Sequence, residues 1–267
     1  MKLTPNKVAV VTGAGSGMGR ALVLALAQKG LCVAAVDLNE ATLKETVALA
    51  GQPGKVSAHM VNVSDREAVE ALPAKVVAAH GAVDVIINNA GIIQPFVRLN
   101  DLPYDAIERV LNVNLYGVIY MTKAFLPHLL KRPAAHVVNV SSMGGFFPVP
   151  GQTLYGASKA GVKLLTEGLF SELTATNVKV TVVFPGAIAT NISQNSGVAI
   201  QAAGESSQSF KMTSAEDAAQ IIINGIERDA FQVYVGRDAK MMNLLYRLSP
   251  LRATRFMYKQ MKGLLPG

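Results

Sequence analysis

The chain has 267 residues, half of them hydrophobic and 16% charged, with a mean hydropathy of +0.31. That is too apolar for a disordered chain and long enough to bury a large core. One Cys excludes a disulfide framework or a Cys-rich zinc module, four scattered His without an HExxH pattern offer no metal constellation, and the net charge of +7 is concentrated at the end of the chain.

The chain opens on MKLTPNKVAVVTG, whose apolar stretch is too short for a cleavable signal and runs into a glycine-rich turn. The uncharged stretches 133–158 and 180–204 are broken by Gly, Pro, Ser, Asn and Gln, which makes them poor membrane spans. A soluble, cytoplasmic protein is expected. Runs rich in Val and Ile predict strands at 7–12, 31–37, 56–61, 83–88, 135–141, 178–184 and 232–235. They are nearly continuous rather than alternating, as in a parallel sheet covered on both faces. Helical patterning falls between them at 17–29, 40–50, 65–79, 103–131, 155–176 and 214–228. This alternation predicts an α/β fold: a doubly wound, seven-stranded parallel sheet of the Rossmann type, one domain over 1–236. Within it, loop 187–212 is long enough to need a functional reason. Residues 237–267 predict a basic helical C-terminal extension, split at Ser249-Pro250.

The first strand runs into Thr12-Gly13-Ala14-Gly15-Ser16-Gly17-Met18-Gly19 and then a helix. Glycines let the backbone turn tightly and approach a pyrophosphate, and the helix N-terminus supplies free N–H groups. The spacing is TGxxxGxG rather than plain GxGxxG. Asp37 closes the second strand, 18 residues after Gly19. An acid there accepts both adenosine ribose hydroxyls and repels a 2′-phosphate. Leu38 follows instead of a cation, so NAD is favoured over NADP. Asn39 is the better helix cap, which leaves Asp37 for the ribose.

Tyr155 and Lys159 sit four apart on one helix face. Ser142 lies just past the fifth strand, thirteen residues before Tyr155, at the carboxyl edge where open parallel sheets bind ligands. A free tyrosine titrates near pH 10, too high for a general base. An ammonium about 5 Å away attracts a phenolate by roughly 3 kcal/mol at an effective dielectric of about 20, enough to bring the phenol toward neutrality as an acid–base group. Ser142 can hold the substrate oxygen.

With these pieces in order, residues 5–236 resemble the short-chain dehydrogenase/reductase family. The matching motifs are Thr12–Gly19, Asp37, Asn62-Val63, Asn88-Asn89-Ala90-Gly91, Asn114, Ser141-Ser142, Tyr155-Gly-Ala-Ser-Lys159 and Pro185-Gly186 with Thr190. The resemblance implies hydride transfer between a nicotinamide cofactor and a carbonyl or alcohol. It makes Tyr155 the acid–base residue, Lys159 its pKa-lowering partner and ribose ligand, Ser142 the orienting residue, and Asn114 the anchor of a proton-relaying water. By the same resemblance Gly13, Gly15, Ser16, Gly17, Met18 and Gly19 cradle the cofactor phosphates. Asn62 and Val63 contact adenine, where many members have Asp-Val, and Asn89 meets a ribose. Pro185, Ile188 and Thr190 surround the nicotinamide carboxamide. No metal is implied.

Gln94 and Phe96 after the NNAG motif, Phe147 and Val149 before the catalytic helix, and the 191–212 loop are the expected substrate walls, with Ser142 and Tyr155 at their base. They carry no Arg or Lys before Lys211, which favours a hydrophobic secondary alcohol or ketone. The 103–131 and 155–176 helices are apolar on more than one face, and in the family they build a dimer interface, so a homo-oligomer is expected. The first 236 residues are nearly neutral, whereas 237–267 hold seven Lys/Arg and one acid, Asp238. A nearly neutral body with a basic tail argues against nucleic acid as partner. That tail either packs on the protein or lies on an anionic membrane. An NADPH-dependent carbonyl reductase and a non-catalytic nucleotide-binding scaffold are the remaining alternatives.

Overall fold

The computed structural model describes residues 1–198 and 212–265. Seven strands form one sheet: β1 (Val8–Thr12), β2 (Cys32–Asp37), β3 (Val56–Met60), β4 (Val85–Asn88), β5 (Ala135–Val140), β6 (Val178–Pro185) and β7 (Gln232–Val235). Their order is β3-β2-β1-β4-β5-β6-β7, and every pairing is parallel. Chain order reverses between β1 and β4, and this switch opens a crevice at the carboxyl edge.

The continuous Val/Ile runs are explained by two cores. Ala9 and Val11 of β1, with Val85 and Ile87 of β4, face one core; Val8, Val10 and Ile86 face the other. Because successive side chains alternate, a strand covered on both faces has no polar side to show. Each fully buried aliphatic side chain contributes roughly 1.5–3 kcal/mol. Helices α1 (Gly17–Gln28) and α2 (Glu40–Ala50) follow β1 and β2, and the short α3 (Arg66–Glu70) and α4 (Leu72–His80) follow β3. Asn39 caps α2 through Ala41 N–H and Thr42 N–H, as its sequence position predicts. Gly51 and Gly81, both left-handed, end α2 and α4.

The 103–131 stretch is not one helix. It is α5 (Tyr104–Leu111), a π turn over Asn112–Tyr116, and α6 (Gly117–Leu129). The π turn carries Asn114, whose amide pairs reciprocally with the Ile92 backbone: Ile92 N–H donates to Oδ1 and Nδ2 donates to Ile92 O, each at 2.9 Å. Turns of this kind recur at functional sites. Helix α7 (Thr153–Leu173) precedes β6, and the four-residue α8 (Ile192–Asn195) follows it. Residues 199–211, the tip of the expected substrate loop and including Lys211, lie outside the described residues.

Helix α9 (Ala215–Glu227), capped by Ser214, packs Ile222 and Ile223 into the first core. Past β7, α10 (Arg237–Leu248) and α11 (Pro250–Met261) break at Ser249, with Pro250 opening the second helix. Met242, Ala253 and Met257 pack with Phe147 in a third cluster. Asp238 accepts the Ala187 N–H at 2.6 Å, tying the start of α10 to the turn after β6. None of the described helices is long and apolar enough to cross a membrane.

Candidate active site

The glycine turn closes tightly on its surroundings. Gly13 and Gly17 have φ of +66° and +50°, which side chains rarely adopt, and a Cβ at Gly19 would stand 1.9 Å from the Gly13 carbonyl oxygen. The turn, the N-terminus of α1 and the β4 edge enclose a cleft of about 400 Å³. Gly13, Ser16, Gly17, Met18, Gly19, Asp37, Asn62, Val63, Asn89 and Thr190 all line it. A bare-backbone cradle beside free helix N–H groups fits a pyrophosphate. Gly15 lies behind the wall: its N–H donates to Asp37 Oδ2 at 2.8 Å, while Asn39 N–H donates to Oδ1 at 2.9 Å. Asp37 therefore braces the glycine turn while also facing the cleft. Leu38 beside it is exposed.

Around the rim, Asn62 Oδ1 is used locally by Ser64, and Asn89 Nδ2 donates to Thr12 O at 2.9 Å. Asn195 of α8 donates to Ser16 Oγ at 2.8 Å, so the segment after β6 reaches the glycine turn. Pro185 ends β6, and Ile188 bridges Thr213 through the flanking Ala187 and Ala189 backbone, not through its own amide.

Beyond the cleft, Ser142 follows β5 and its Oγ accepts the Gly144 N–H at 3.0 Å. Lys159 is buried; its Nζ donates to Val140 O at 3.0 Å and lies 6.0 Å from the Tyr155 ring centroid. Burial pushes the partly buried Tyr155 phenol up, and the neighbouring Ser142 hydroxyl pulls it down. Burial lowers Lys159 to about 8. The sequence argument expects the ammonium to acidify the phenol, whereas burial is the larger effect on both groups. Asn114 lies behind Lys159. It donates to Ser158 Oγ at 3.1 Å, and a Cβ on Gly91 would touch both Lys159 Nζ and Asn114 Oδ1.

Two expected wall residues are turned inward. Gln94 is fully buried: Oε1 accepts Leu154 N–H at 2.7 Å and Tyr155 N–H at 2.9 Å, and Nε2 donates to Gly151 O at 3.0 Å. It caps α7 instead of facing the cleft. Phe147 is fully buried against Tyr246 and the extension. The causes differ: the α7 terminus takes up the Gln94 amide, and the folded-back C-terminal helices cover Phe147. Phe96 and Val149 remain partly exposed, and Leu265 packs at Gly151 beside Phe96.

Sequence reasoning missed the supports. Ser141 Oγ donates to Lys159 O at 2.7 Å, Ser158 Oγ to Tyr155 O at 2.7 Å, and Gln152 Nε2 to Gln94 O at 2.8 Å. A buried chain runs from Thr122 through Asn88 and Asn139 to Thr166, fastening α6, β4, β5 and α7 together. Its signal was present, because Asn within two otherwise apolar strands requires buried partners.

A Rossmann sheet with a glycine cradle at its switch point, and Ser, Tyr and Lys beside it, defines an NAD(P)-dependent oxidoreductase. The short chain dehydrogenase family model matches residues 7–200, and the chain belongs to the short-chain dehydrogenase/reductase family. It is 41% identical over 254 residues to SadH of Mycobacterium tuberculosis, named as an oxidoreductase, with 91% of each chain covered. It is 42% identical over 192 residues to the 3-oxoacyl-[acyl-carrier-protein] reductase FabG of Thermotoga maritima, covering 71% of this chain and 77% of that one. A short-chain dehydrogenase/reductase from Burkholderia phymatum, crystallised with NAD, superposes with a TM-score of 0.84 at 28% identity, covering 94% of this chain and 96% of that one. One from Burkholderia cenocepacia, crystallised with NADP, gives 0.81 at 25% identity, covering 96% and 99%.

Proposed function

We propose that the protein is an NAD-linked oxidoreductase interconverting a hydrophobic secondary alcohol and its ketone. The observation that carries this reading is the convergence of the Tyr155 ring and Ser142 Oγ on Gly144, with the buried Lys159 Nζ 6.0 Å from the Tyr155 ring centroid. The cofactor, when bound, supplies the hydride acceptor or donor. In oxidation Tyr155 takes the hydroxyl proton, and in reduction it returns a proton to the carbonyl oxygen. Ser142 donates to the substrate oxygen and keeps it beside Tyr155. Lys159 holds positive charge near the phenol and gives a ribose a donor. Gly13, Ser16, Gly17, Met18, Gly19, Asn62, Val63, Asn89, Pro185, Ile188 and Thr190 would hold the cofactor, with Asp37 on the adenosine ribose and Gly15 supporting the turn from behind. The apolar character of Phe96 and Val149 supports a hydrophobic substrate.

NAD preference rests on Asp37, which lines the cleft beside Leu38. The FabG relative and the neighbour crystallised with NADP favour a second reading, NADPH-dependent ketone reduction. Fluorescence titration with NADH and NADPH separates the two. A preference for NADH, abolished by Asp37→Ala, supports NAD. A preference for NADPH moves the protein to the second reading, and binding of neither by the folded chain favours a scaffold. On a substrate found in this way, Tyr155→Phe loses about a thousandfold in kcat or more while binding NADH normally; full activity in that variant removes Tyr155 from the chemistry.

A further inference from the structure

Helices α10 and α11 pack inward through Ala239, Met242, Ala253 and Met257, and their opposite side is bare. On α10, Met241, Leu244, Leu245 and Leu248 recur at i, i+3, i+4 and i+7 and form one exposed stripe; Leu244 and Leu248 are 59% and 73% exposed. On α11, Leu251, Arg255 and Tyr258 share the outward face, with Arg252 and Lys259 beside them and Lys262 just past the helix end, all exposed. No acidic residue occurs in 239–267. Arg247 sits beside the Tyr234 phenol, whose titration it lowers, and no ion pair among the described residues uses Lys240, Arg252, Arg255, Lys259 or Lys262.

A second copy is a poor occupant of this face. A two-fold contact sets the same patch against itself, and here cations would meet cations with no acid on the segment to relieve them. An anionic lipid surface satisfies both features at once, with an acyl boundary for the leucines and phosphates for the cations. We propose that the outer face of α10–α11 docks on an anionic membrane. Leu244, Leu245 and Leu248 enter the headgroup–acyl boundary, and Arg252, Arg255, Lys259 and Lys262 meet lipid phosphates. Leu265, at the far end of the extension, packs at Gly151 beside Phe96, so docking holds that wall of the site near the lipid. The docking itself rests on the surface alone and stands apart from the proposed reaction.

The test is co-sedimentation of the full chain with phosphatidylcholine vesicles with and without phosphatidylserine, read without substrate. The expected result is binding to the phosphatidylserine vesicles only, weakened by salt. The variants Leu244→Asp with Leu248→Asp, and Arg255→Glu with Lys259→Glu, should each bind about tenfold or more weakly, with NADH binding and oligomeric mass unchanged. Hydrogen exchange on the unaltered protein gives a second readout, slowed over 240–262 by the anionic vesicles. Absence of binding at low salt overturns the proposal. So does equal binding to neutral vesicles with no effect of charge reversal. A fall in oligomeric mass on substituting the leucines would assign the stripe to a second copy instead. None of these failures touches the oxidoreductase reading, which is tested by cofactor titration and turnover.

Discussion

The amide of Gln94 holds three backbone groups at once, two of them the N–H groups of Leu154 and Tyr155 that the start of α7 cannot satisfy internally. Replacing it by Leu strands buried donors at about 1–3 kcal/mol each. Gln94→Leu should therefore lower unfolding stability by about 2–4 kcal/mol and lower kcat while leaving NADH affinity nearly unchanged. Gln94→Glu keeps the acceptor for both amides and should recover part of the loss. Urea unfolding and a kcat comparison check this, and equal damage from both variants would mean that capping is not its role. The residue's type and its place after NNAG point to a pocket wall; only its neighbours in space reveal a cap. Asp37 was more legible, since its position at the end of β2 by itself sets it against the glycine turn. Its second task, bracing Gly15, is invisible without the fold.

At the scale of elements, hydrophobic runs located all seven strands to within a residue or two, because the inner strands, buried on both faces, cannot carry charge in their middle. Helix boundaries marked by Asn39 and Ser249-Pro250 were equally readable, since capping is local chemistry. The π turn was not, because the contact that accompanies it is between Asn114 and Ile92, residues 22 apart. The glycine turn belongs to this scale as well. At Gly19 a Cβ meets the Gly13 carbonyl carbon at 2.6 Å and Asn89 Nδ2 at 2.8 Å, so the turn must open to admit it. Gly19→Ala should cost about 1–3 kcal/mol of stability and weaken NADH binding about tenfold or more. Thermal unfolding and fluorescence titration measure both, and unchanged NADH affinity would show that the turn does not form the cofactor cradle.

The whole molecule responds to acid through His136. It is fully buried on β5, with Nε2 2.7 Å from Thr181 Oγ1 and Nδ1 without a hydrogen-bond partner among the described residues. Burial first, then the Met1 ammonium, lowers it from 6.5 to about 3, against the opposing pull of Asp229. Between those values the unfolded chain binds a proton that the folded chain refuses. The stability is therefore fully present above pH 6.5 and is lost as pH falls toward 3, on the order of 3 kcal/mol between pH 7 and pH 4. His136→Gln should flatten this dependence in urea unfolding at the two pH values; an unchanged slope would clear His136 of the effect. Assembly is also a property of the whole. Leu164 of α7 is 69% exposed, between Ala160 and Gly168 on the same outward face. In the homo-oligomer we expect, Leu164→Glu should reduce the mass seen by light scattering, whereas substitutions on the α10 stripe should not.

By itself the sequence determined the sheet, the glycine turn, the cluster of Ser142, Tyr155 and Lys159, and the basic character of the tail. Each depends on local pattern, on short spacing, or on the rule that parallel strands deliver their carboxyl ends to one edge. The tertiary structure alone decided that Gln94 and Phe147 face inward, that burial raises the Tyr155 phenol and lowers Lys159, and that α10 and α11 fold back with one side bare. Those outcomes depend on which groups share a volume, and volume is shared among residues too far apart in the chain for any pattern to link them.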